Sequence, residues 1–167
     1  MAISVNAGKK GFEEIDETTG ALLRFEGERL AAFVSSFNAT DVGSYRIVGT
    51  KGEVRVNPAF EYAEGLGYEL TVNGKTTRKR TGKRDQFAAE LLYFSDCILK
   101  NREPEPSGEE GMQDVRIITA LYESAETGKA VAIPPFDRTK RPTSDQKISR
   151  PGVRKPELVH AQSGSED

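Results

Sequence analysis

Residues 83–131 decide the fold and read KRDQFAAELLYFSDCILKNREPEPSGEEGMQDVRIITALYESAETGKAV. Apolar residues recur in this stretch at intervals of three and four, a spacing that places them on one face of an α-helix. The pattern predicts two consecutive helices whose apolar stripes are too wide for solvated helices, so we expect both to lie on a sheet. The first stripe is Phe87, Leu91, Phe94 and Ile98, and the second is Met112, Val115, Ile118, Tyr122 and Ala125.

The ends of both helices carry local signals. Pro104 and Pro106 end the first helix, because proline lacks the backbone donor and disfavours helix in the residue before it. Ser107 stands three residues before Glu110, which is the spacing of a capping box at a helix N-terminus. Gly128 follows the second stripe, where a helix C-terminus favours a left-handed residue. The sequence therefore predicts two separate helices joined by an extended loop.

The first 82 residues predict an antiparallel sheet. Short runs of alternating apolar and polar residues are separated by turn residues, and Asn73 followed by Gly74 is the strongest hairpin signal among them. The run 30–38 carries apolar residues on both sides, so we expect it to be covered on both faces. The run 75–81 is polar throughout and is typical of an edge strand protected by charge. Residues 59–67 (AFEYAEGLG), the aromatic loop, are irregular and lie between two hairpins, where a functional loop is expected.

Residues 134–167, the C-terminal arm, differ from the rest in composition. They are rich in proline and charge and poor in apolar residues, so they cannot bury enough surface to fold alone. We expect one domain over residues 1–133 and an extended or disordered arm after it. Docking of the arm stays open, because single apolar residues lie between its prolines: Ile148, Val153, Leu158 and Val159.

Composition excludes several classes of protein. Hydrophobic residues make up 36% and charged residues 30% of the chain, and the net charge is −2. This indicates a soluble protein with no general attraction to nucleic acid or membrane. Neither a membrane-spanning run nor a signal peptide is visible, so the cytoplasm is the default compartment. The single cysteine, Cys97, has no disulfide partner and is expected to be a small buried residue in the first helix.

The sequence offers no self-sufficient catalytic, cofactor or metal site. Gly65 and Gly67 form a G-x-G pair, but a strand and not a helix follows them, so we interpret the match to a dinucleotide motif as chance. The one histidine, His160, lies in the arm, and zinc has no ligand set. Glu109 and Glu110 fall in the first turn of a helix, where negative charge complements the helix dipole.

One interpretation of the basic run between residues 75 and 84 is a nucleic-acid surface. No aromatic residues interleave with its cations for base stacking, and the whole chain is acidic. A charged edge strand explains the run without a partner, so no nucleic-acid binding is predicted. The cations are Lys75, Arg78, Lys79, Arg80, Lys83 and Arg84.

The block GEEGMQDVR, followed by an apolar helix that ends in ESAETG, resembles the C-terminal region of the Gfo/Idh/MocA oxidoreductases, the family of glucose–fructose oxidoreductase. The upstream stretches DETTGALLRFEGERLAAF, SYRIVGTKGEVRV and DQFAAELLYFSDCIL are similar to that family as well and come in its order. The resemblance covers roughly residues 3 to 133, and the C-terminal arm is similar to that of one subgroup of the family and adds little.

The resemblance implies an α+β domain with an open, mainly antiparallel sheet, two main helices packed on one face and the other face available for homo-oligomerisation. In the family, a preceding Rossmann domain binds NAD or NADP and supplies an essential lysine beside a proline. Nothing in residues 1–167 matches that motif or the helix that carries the family's acid/base groups, and Lys155 before Pro156 lies in the arm and is not carried over. We therefore expect no cofactor site in this chain and no catalysis by it alone.

A substrate-binding set is expected where loops meet the first helix. It consists of Tyr62, Lys83, Arg84, Asp85 and Gln86, with hydrogen bonds to sugar or polyol hydroxyls as their role. An equally good interpretation of Asp85 is a helix N-cap, and Lys83 and Arg84 are also consistent with a continued charged edge. The chain is thus interpreted as the substrate-binding and oligomerisation domain of an NAD(P)-dependent sugar oxidoreductase. The alternative is a freestanding, non-catalytic module that oligomerises or binds a small ligand.

Overall fold

The computed structural model of the chain describes residues 1–6, 12, 14–37, 39–62, 64–137 and 143–154. All strand pairs in these residues are antiparallel, and two long helices follow the strands, which confirms the α+β class. The strands are β1 Ala2–Val5, β2 Thr18–Phe25, β3 Arg29–Ser36, β4 Tyr45–Gly49, β5 Gly52–Val56, β6 Gly67–Val72 and β7 Lys75–Arg80. The helices are α1 Gln86–Leu99 and α2 Gly108–Thr127, and a short 3-10 helix spans Ser144–Gln146.

The strands form two sheets instead of one continuous sheet. The first has the order β1-β2-β3 and the second the order β4-β5-β6-β7. The chain divides into two compact units accordingly. The first unit contains the described parts of residues 1–40 and 105–141, and the second contains those of 41–104 and 143–154.

In the first unit, α2 is joined to β1 by a buried serine. Ser124 is 2% exposed. Its Oγ accepts the Ala2 backbone N–H at 2.9 Å and donates to the Lys129 carbonyl at 2.6 Å. Ala2 and Ala21 are the buried apolar side chains of this unit and face each other across the β1–β2 pair. The small core of this unit therefore lies under the C-terminal half of α2.

The expectation that strand 30–38 is covered on both faces is wrong. Every residue of β3 is exposed, and Val34 is 75% exposed. β3 is an edge of its three-stranded sheet, so it has a hydrogen-bonded neighbour on one side only. Apolar residues on both faces of a strand indicated burial, but the sequence does not show whether a neighbouring layer is present.

Both ends of α2 form as the sequence predicts. The Ser107 side chain accepts the Glu110 N–H, and the Glu110 carboxylate accepts the Ser107 N–H, which completes the capping box. Gly128 ends the helix in the left-handed conformation at φ 66°. These signals involve residues within a few positions of each other, so the local sequence is sufficient to specify them.

In the second unit, the four-stranded sheet has one apolar and one charged face. The registers align Ile47, Val54 and Leu70 across three strands, so their side chains share a face. The opposite face carries the ion pairs Arg46–Glu53 and Arg78–Glu69. β7 is exposed along its length and lies at the sheet edge, which confirms the predicted charged edge strand. The remaining apolar residues of the first face are Tyr45, Val56, Tyr68 and Val72.

Two ion pairs of Asp96 lie at the C-terminal end of α1. Asp96 pairs with the Lys100 ammonium at 2.9 Å and with the Arg102 guanidinium at 2.7 Å. The hydrogen bond from Lys100 is the main cause that lowers the pKa of Asp96. Desolvation opposes it, and the charges of Lys100 and Arg102 lower the pKa further. Arg102 also lies over the Tyr93 ring, 5.5 Å from its centroid. Cys97 is 1% exposed, which confirms the predicted buried cysteine.

The apolar stripes of both helices lie on one face each but keep much of their surface exposed. Phe87 and Leu91 of α1 are 57% and 67% exposed. Met112, Val115 and Ile118 of α2 are about half exposed as well. The two predicted helices are thus confirmed. The expectation that both lie on a sheet is met by α2, which packs on β1, while the described residues show no comparable contact of α1 with a strand.

Candidate functional site

The start of α1 meets the aromatic loop in the second unit. The Tyr62 and Phe87 rings lie 5.8 Å apart between centroids at an interplanar angle of 58°. This tilted arrangement is favourable for aromatic pairs. The loop therefore contacts the first turn of α1. It also contacts β4, where the Phe60 ring lies 5.9 Å from the ring of Tyr45.

Two polar contacts join the same two segments. The Gln86 Nε2 donates to the Glu61 carbonyl at 3.0 Å, and the Lys83 Nζ donates to the Glu64 carboxylate at 2.7 Å. Both contacts are solvent-exposed, so each contributes little to stability. Their effect is to hold Lys83 and Gln86 beside Tyr62. The structure thus brings three of the five predicted residues together.

Asp85 is the N-cap of α1. Its backbone is extended, and its carboxylate accepts the Ala88 N–H at 2.9 Å. This is the geometry in which an acidic side chain satisfies one of the free N–H groups of the first turn. The capping interpretation of Asp85 is therefore confirmed, and a substrate contact of its second carboxylate oxygen stays a prediction.

Arg84 contributes to this region through its backbone. It forms an antiparallel bridge with Pro151, and the neighbouring Asp85 N–H donates to the Arg150 carbonyl at 3.4 Å. Pro151 belongs to residues 143–154, the arm segment. A second contact of the arm segment lies further along α1, where the Gln146 Nε2 donates to the Tyr93 hydroxyl at 2.8 Å.

The G-x-G pair in the aromatic loop serves close backbone packing. A Cβ added to Gly65 would lie 2.2 Å from the Thr81 carbonyl oxygen, and one added to Gly67 would lie 2.9 Å from that of Asn57. Both distances are shorter than any side chain tolerates. The Thr81 N–H in turn donates to the Leu66 carbonyl at 2.8 Å, so the pair is held as part of strand pairing. β6 follows directly, as predicted.

The surroundings of Gly65 and Gly67 show whether these glycines could bind the phosphates of a dinucleotide. A phosphate cradle needs consecutive backbone N–H groups that point to an anion, usually at the start of a helix. Here the two glycines face carbonyl oxygens and precede a strand, so these residues do not fit NAD or NADP. Within the described ranges, no three His, Cys, Asp or Glu side chains come together to hold a metal ion either.

A groove of about 270 Å³ lies at the opposite end of α1 from the predicted residues. Its one cationic side chain, Arg102, is already paired with Asp96 and lies on the Tyr93 ring. Asn101 and Glu103 add further polar groups, so the groove offers a ligand a mixed polar and apolar lining. The lining residues are Phe94, Cys97, Ile98, Asn101, Arg102, Glu103 and Pro104. None of the predicted substrate-binding residues belongs to it.

Sequence reasoning missed the residues that hold the predicted set in place. Glu61 acts through its carbonyl, which no side-chain pattern reveals. Glu64 has a charge opposite to that of Lys83, but no spacing rule connects positions so far apart in the chain. The single apolar residues of the arm left docking open, and the turn signal of Pro151 and Gly152 is a further feature that could have indicated where the arm makes contact. His160, Lys155, Pro156, Leu158 and Val159 lie outside the residues that the structure describes.

The described part of the chain has no helix with the length and apolar character that a bilayer crossing requires. The cations of the basic run are partly neutralised within the second unit, because Arg78 pairs with Glu69 and Lys83 with Glu64.

Comparison with known proteins identifies the family. Residues 4–133 match the family model of the Gfo/Idh/MocA oxidoreductases described as "Oxidoreductase family, C-terminal alpha/beta domain". The D-xylose 1-dehydrogenase [NADP(+)] of Haloarcula marismortui is 32% identical over 131 residues, which are 78% of this chain and 36% of that protein. The D-xylose 1-dehydrogenase (NADP(+)) 2 of Haloferax volcanii is 30% identical over 121 residues, which are 71% of this chain and 37% of that protein.

A solved structure shows the same architecture. The aldose-aldose oxidoreductase from Caulobacter crescentus, crystallised with glycerol, superimposes with a TM-score of 0.71 at 30% identity and covers 79% of this chain and 40% of that one. The chain spans well under half the length of each of these relatives. The chain belongs to the Gfo/Idh/MocA oxidoreductase family, and residues 4–133 correspond to its C-terminal alpha/beta domain.

Proposed function

We propose that this chain forms the substrate-binding and oligomerisation part of an NAD(P)-dependent sugar oxidoreductase and is catalytically inactive alone. The observation that carries the proposal is the meeting of Tyr62, Lys83 and Gln86 at the start of α1. Relatives named as D-xylose dehydrogenases support the sugar class, and their names support NADP as the cofactor of the complete enzyme. The domain boundary at residue 133 and a cytoplasmic compartment belong to the same proposal.

The chemistry of the set suits a polyhydroxylated ligand. The Lys83 ammonium and the Gln86 amide donate hydrogen bonds, the Glu64 carboxylate accepts them, and the Tyr62 ring offers an apolar surface to the C–H groups of a sugar ring. Tyr62 is 38% exposed, so part of its ring is available to a ligand. Arg84 adds a second cation at the surface. The existing contacts hold these groups in place before a ligand arrives, which reduces the entropy lost on binding.

Inactivity of the chain alone follows from what hydride transfer requires. The nicotinamide supplies the hydride acceptor, and a base must lie near the hydroxyl proton that leaves. The G-x-G pair does not fit a dinucleotide, and Asp85 is engaged as an N-cap. We propose that the dinucleotide site lies outside residues 1–167.

Association through the sheet is the second part of the proposal. Tyr45, Ile47, Leu70 and Val72 lie on one face of the second sheet, and each is well exposed. An exposed apolar sheet face of this kind is typical of an interface. We expect a homodimer or larger oligomer by sedimentation velocity at micromolar concentration, and a clean monomer there would contradict this part.

Titration of the chain with D-xylose, followed by amide chemical shifts, tests the sugar site. We expect shift changes centred on residues 62 and 83–86, and a roughly tenfold weaker affinity for Lys83→Met, which corresponds to about 1.4 kcal/mol. Lys51→Met is the matched control, because Lys51 is an exposed lysine in the turn between β4 and β5, at the opposite end of the sheet from Gly67 of the aromatic loop. The proposal is overturned if xylose causes no shifts there or if both variants bind equally. Tight binding of NADPH by the chain would contradict its proposed inactivity.

A further inference from the structure

We propose that the arm segment positions the substrate-binding residues at the start of α1, and that Gly152 is the positioning residue on which this docking depends. The inference deepens the proposed function and rests on it. It assigns a role to residues beyond the stretch that matches the family, which ends at residue 133.

The arm segment contacts α1 and the residues before it at separate points. Its own start is organised by Thr143, whose N–H donates to the Gln146 Oε1 at 3.1 Å. Gln146 in turn donates to the Tyr93 hydroxyl on α1. Further along, the Arg150 carbonyl accepts the Asp85 N–H, and Pro151 forms the bridge with Arg84. The arm segment is therefore attached both to α1 and to the segment that leads into it.

Gly152 allows the closest of these approaches. A Cβ added to it would lie 2.6 Å from the Lys83 Cβ and 2.9 Å from the Lys83 carbonyl carbon. These are the fixed atoms of Lys83 and not the far end of its side chain, so rotation of the side chain cannot relieve the contact. Gly152 is not left-handed, so the requirement for glycine is one of space. Any larger residue must push the arm segment away from Lys83.

Displacement of the arm segment acts directly on the predicted site. The backbone of Lys83, Arg84 and Asp85 is in contact with the arm segment, while the side chains of Lys83 and Gln86 reach the aromatic loop. With the arm segment removed, this backbone keeps the loop contacts and the N-cap but loses its contacts with Arg150, Pro151 and Gly152. The expected loss is in ligand affinity and not in folding, because Gly152 is exposed and lies outside the cores of both units.

Gly152→Ala tests the inference, and Gly82→Ala is the matched control. Gly82 precedes Lys83 directly, it is not left-handed, and an added Cβ there meets no atom within 4 Å. We expect hydrogen exchange at the Asp85 amide to accelerate at least about tenfold in Gly152→Ala and to stay unchanged in Gly82→Ala. The D-xylose affinity is expected to fall in Gly152→Ala and to stay unchanged in Gly82→Ala. Gln146→Ala, which removes the Tyr93 contact without adding volume, is expected to shift both readouts in the same direction.

Two results overturn the inference. One is unchanged Asp85 exchange in Gly152→Ala, which would show that the arm segment does not depend on this close approach. The other is faster exchange with unchanged xylose affinity, which would show docking without a positioning role. A wild-type chain that does not bind D-xylose would overturn the proposed function and the positioning role together, and the exchange measurement would still report separately whether the arm segment docks.

Discussion

The two helices are anchored at opposite ends. At the start of α1, Lys83, Gln86 and the Asp85 amide reach residues that are distant in the chain. The start of α2 is instead closed by its own capping box, and its long-range bond is made near its end, where Ser124 binds Ala2. The contacts at α1 are exposed to solvent, while the contact at α2 is buried.

We propose that this difference separates a ligand-binding region from a region that stabilises the fold. A buried hydrogen bond costs much to break, because the groups left behind lose both partner and water. Exposed contacts contribute little to stability, so substitution of Lys83 or Gln86 is expected to leave the fold intact. We therefore expect substitutions near the end of α2 to change the free energy of unfolding, and those at the start of α1 to change binding.

The largest expected effect is that of Ser124→Ala. It leaves the buried Ala2 N–H and the Lys129 carbonyl without their partner, which costs about 1–3 kcal/mol of unfolding free energy. Urea denaturation measures the change. Ser95→Ala is the control, because the Ser95 hydroxyl is exposed and, among the residues that the structure describes, bonds to the Leu91 carbonyl of its own helix alone. Equal effects of the two substitutions would contradict the anchoring role of Ser124.

Asp85→Ala and Ser107→Ala compare the two helix starts directly. Each removes an N-cap, so each is expected to destabilise the chain by about 1 kcal/mol in urea denaturation. Asp85→Asn keeps a capping oxygen and should restore most of the loss. If Asp85→Asn recovers stability but not xylose affinity, the carboxylate has a role in binding beyond the cap. If Ser107→Ala alters xylose affinity, the proposal that ligand binding depends on the start of α1 and not on the start of α2 is wrong.

The smallest expected effect concerns the other end of α1. The folded pKa of Asp96 is lower than its unfolded value, chiefly through the Lys100 hydrogen bond, so its ion pairs stabilise the chain above the unfolded pKa. This stability is lost as the pH falls through the folded pKa. Lys100→Met is expected to raise the pKa of Asp96 in a carboxyl NMR titration, and Arg102→Met to raise it less. The reverse order would contradict the assignment of Lys100 as the main cause.

Local signals were sufficient for much of the fold. Asp85, Ser107 and Gly128 end or begin helices through bonds to residues a few positions away, and Asn73 with Gly74 forms the predicted turn with positive φ at both residues. Apolar spacing, together with cap and turn residues, therefore located the helices and hairpins.

Contacts between distant segments were not predictable in the same way. The division into two sheets and the exposure of β3 depend on which strands pair and on which layers cover them. At the candidate site, the sequence indicated Tyr62, Lys83 and Gln86 but not Glu64 or Gly152, which support them. A supporting residue is defined by its distance to another backbone in space, and no periodic pattern encodes that distance.

The glycine pair in the aromatic loop has a consequence for evolutionary comparison. Gly65 and Gly67 are forced by neighbouring carbonyl oxygens, so homologues that keep this turn will keep both glycines whatever they bind. Invariant glycines at these two alignment positions would reflect the short distance to a neighbouring backbone. Counting them toward coenzyme recognition would assign a redox role to a purely steric constraint.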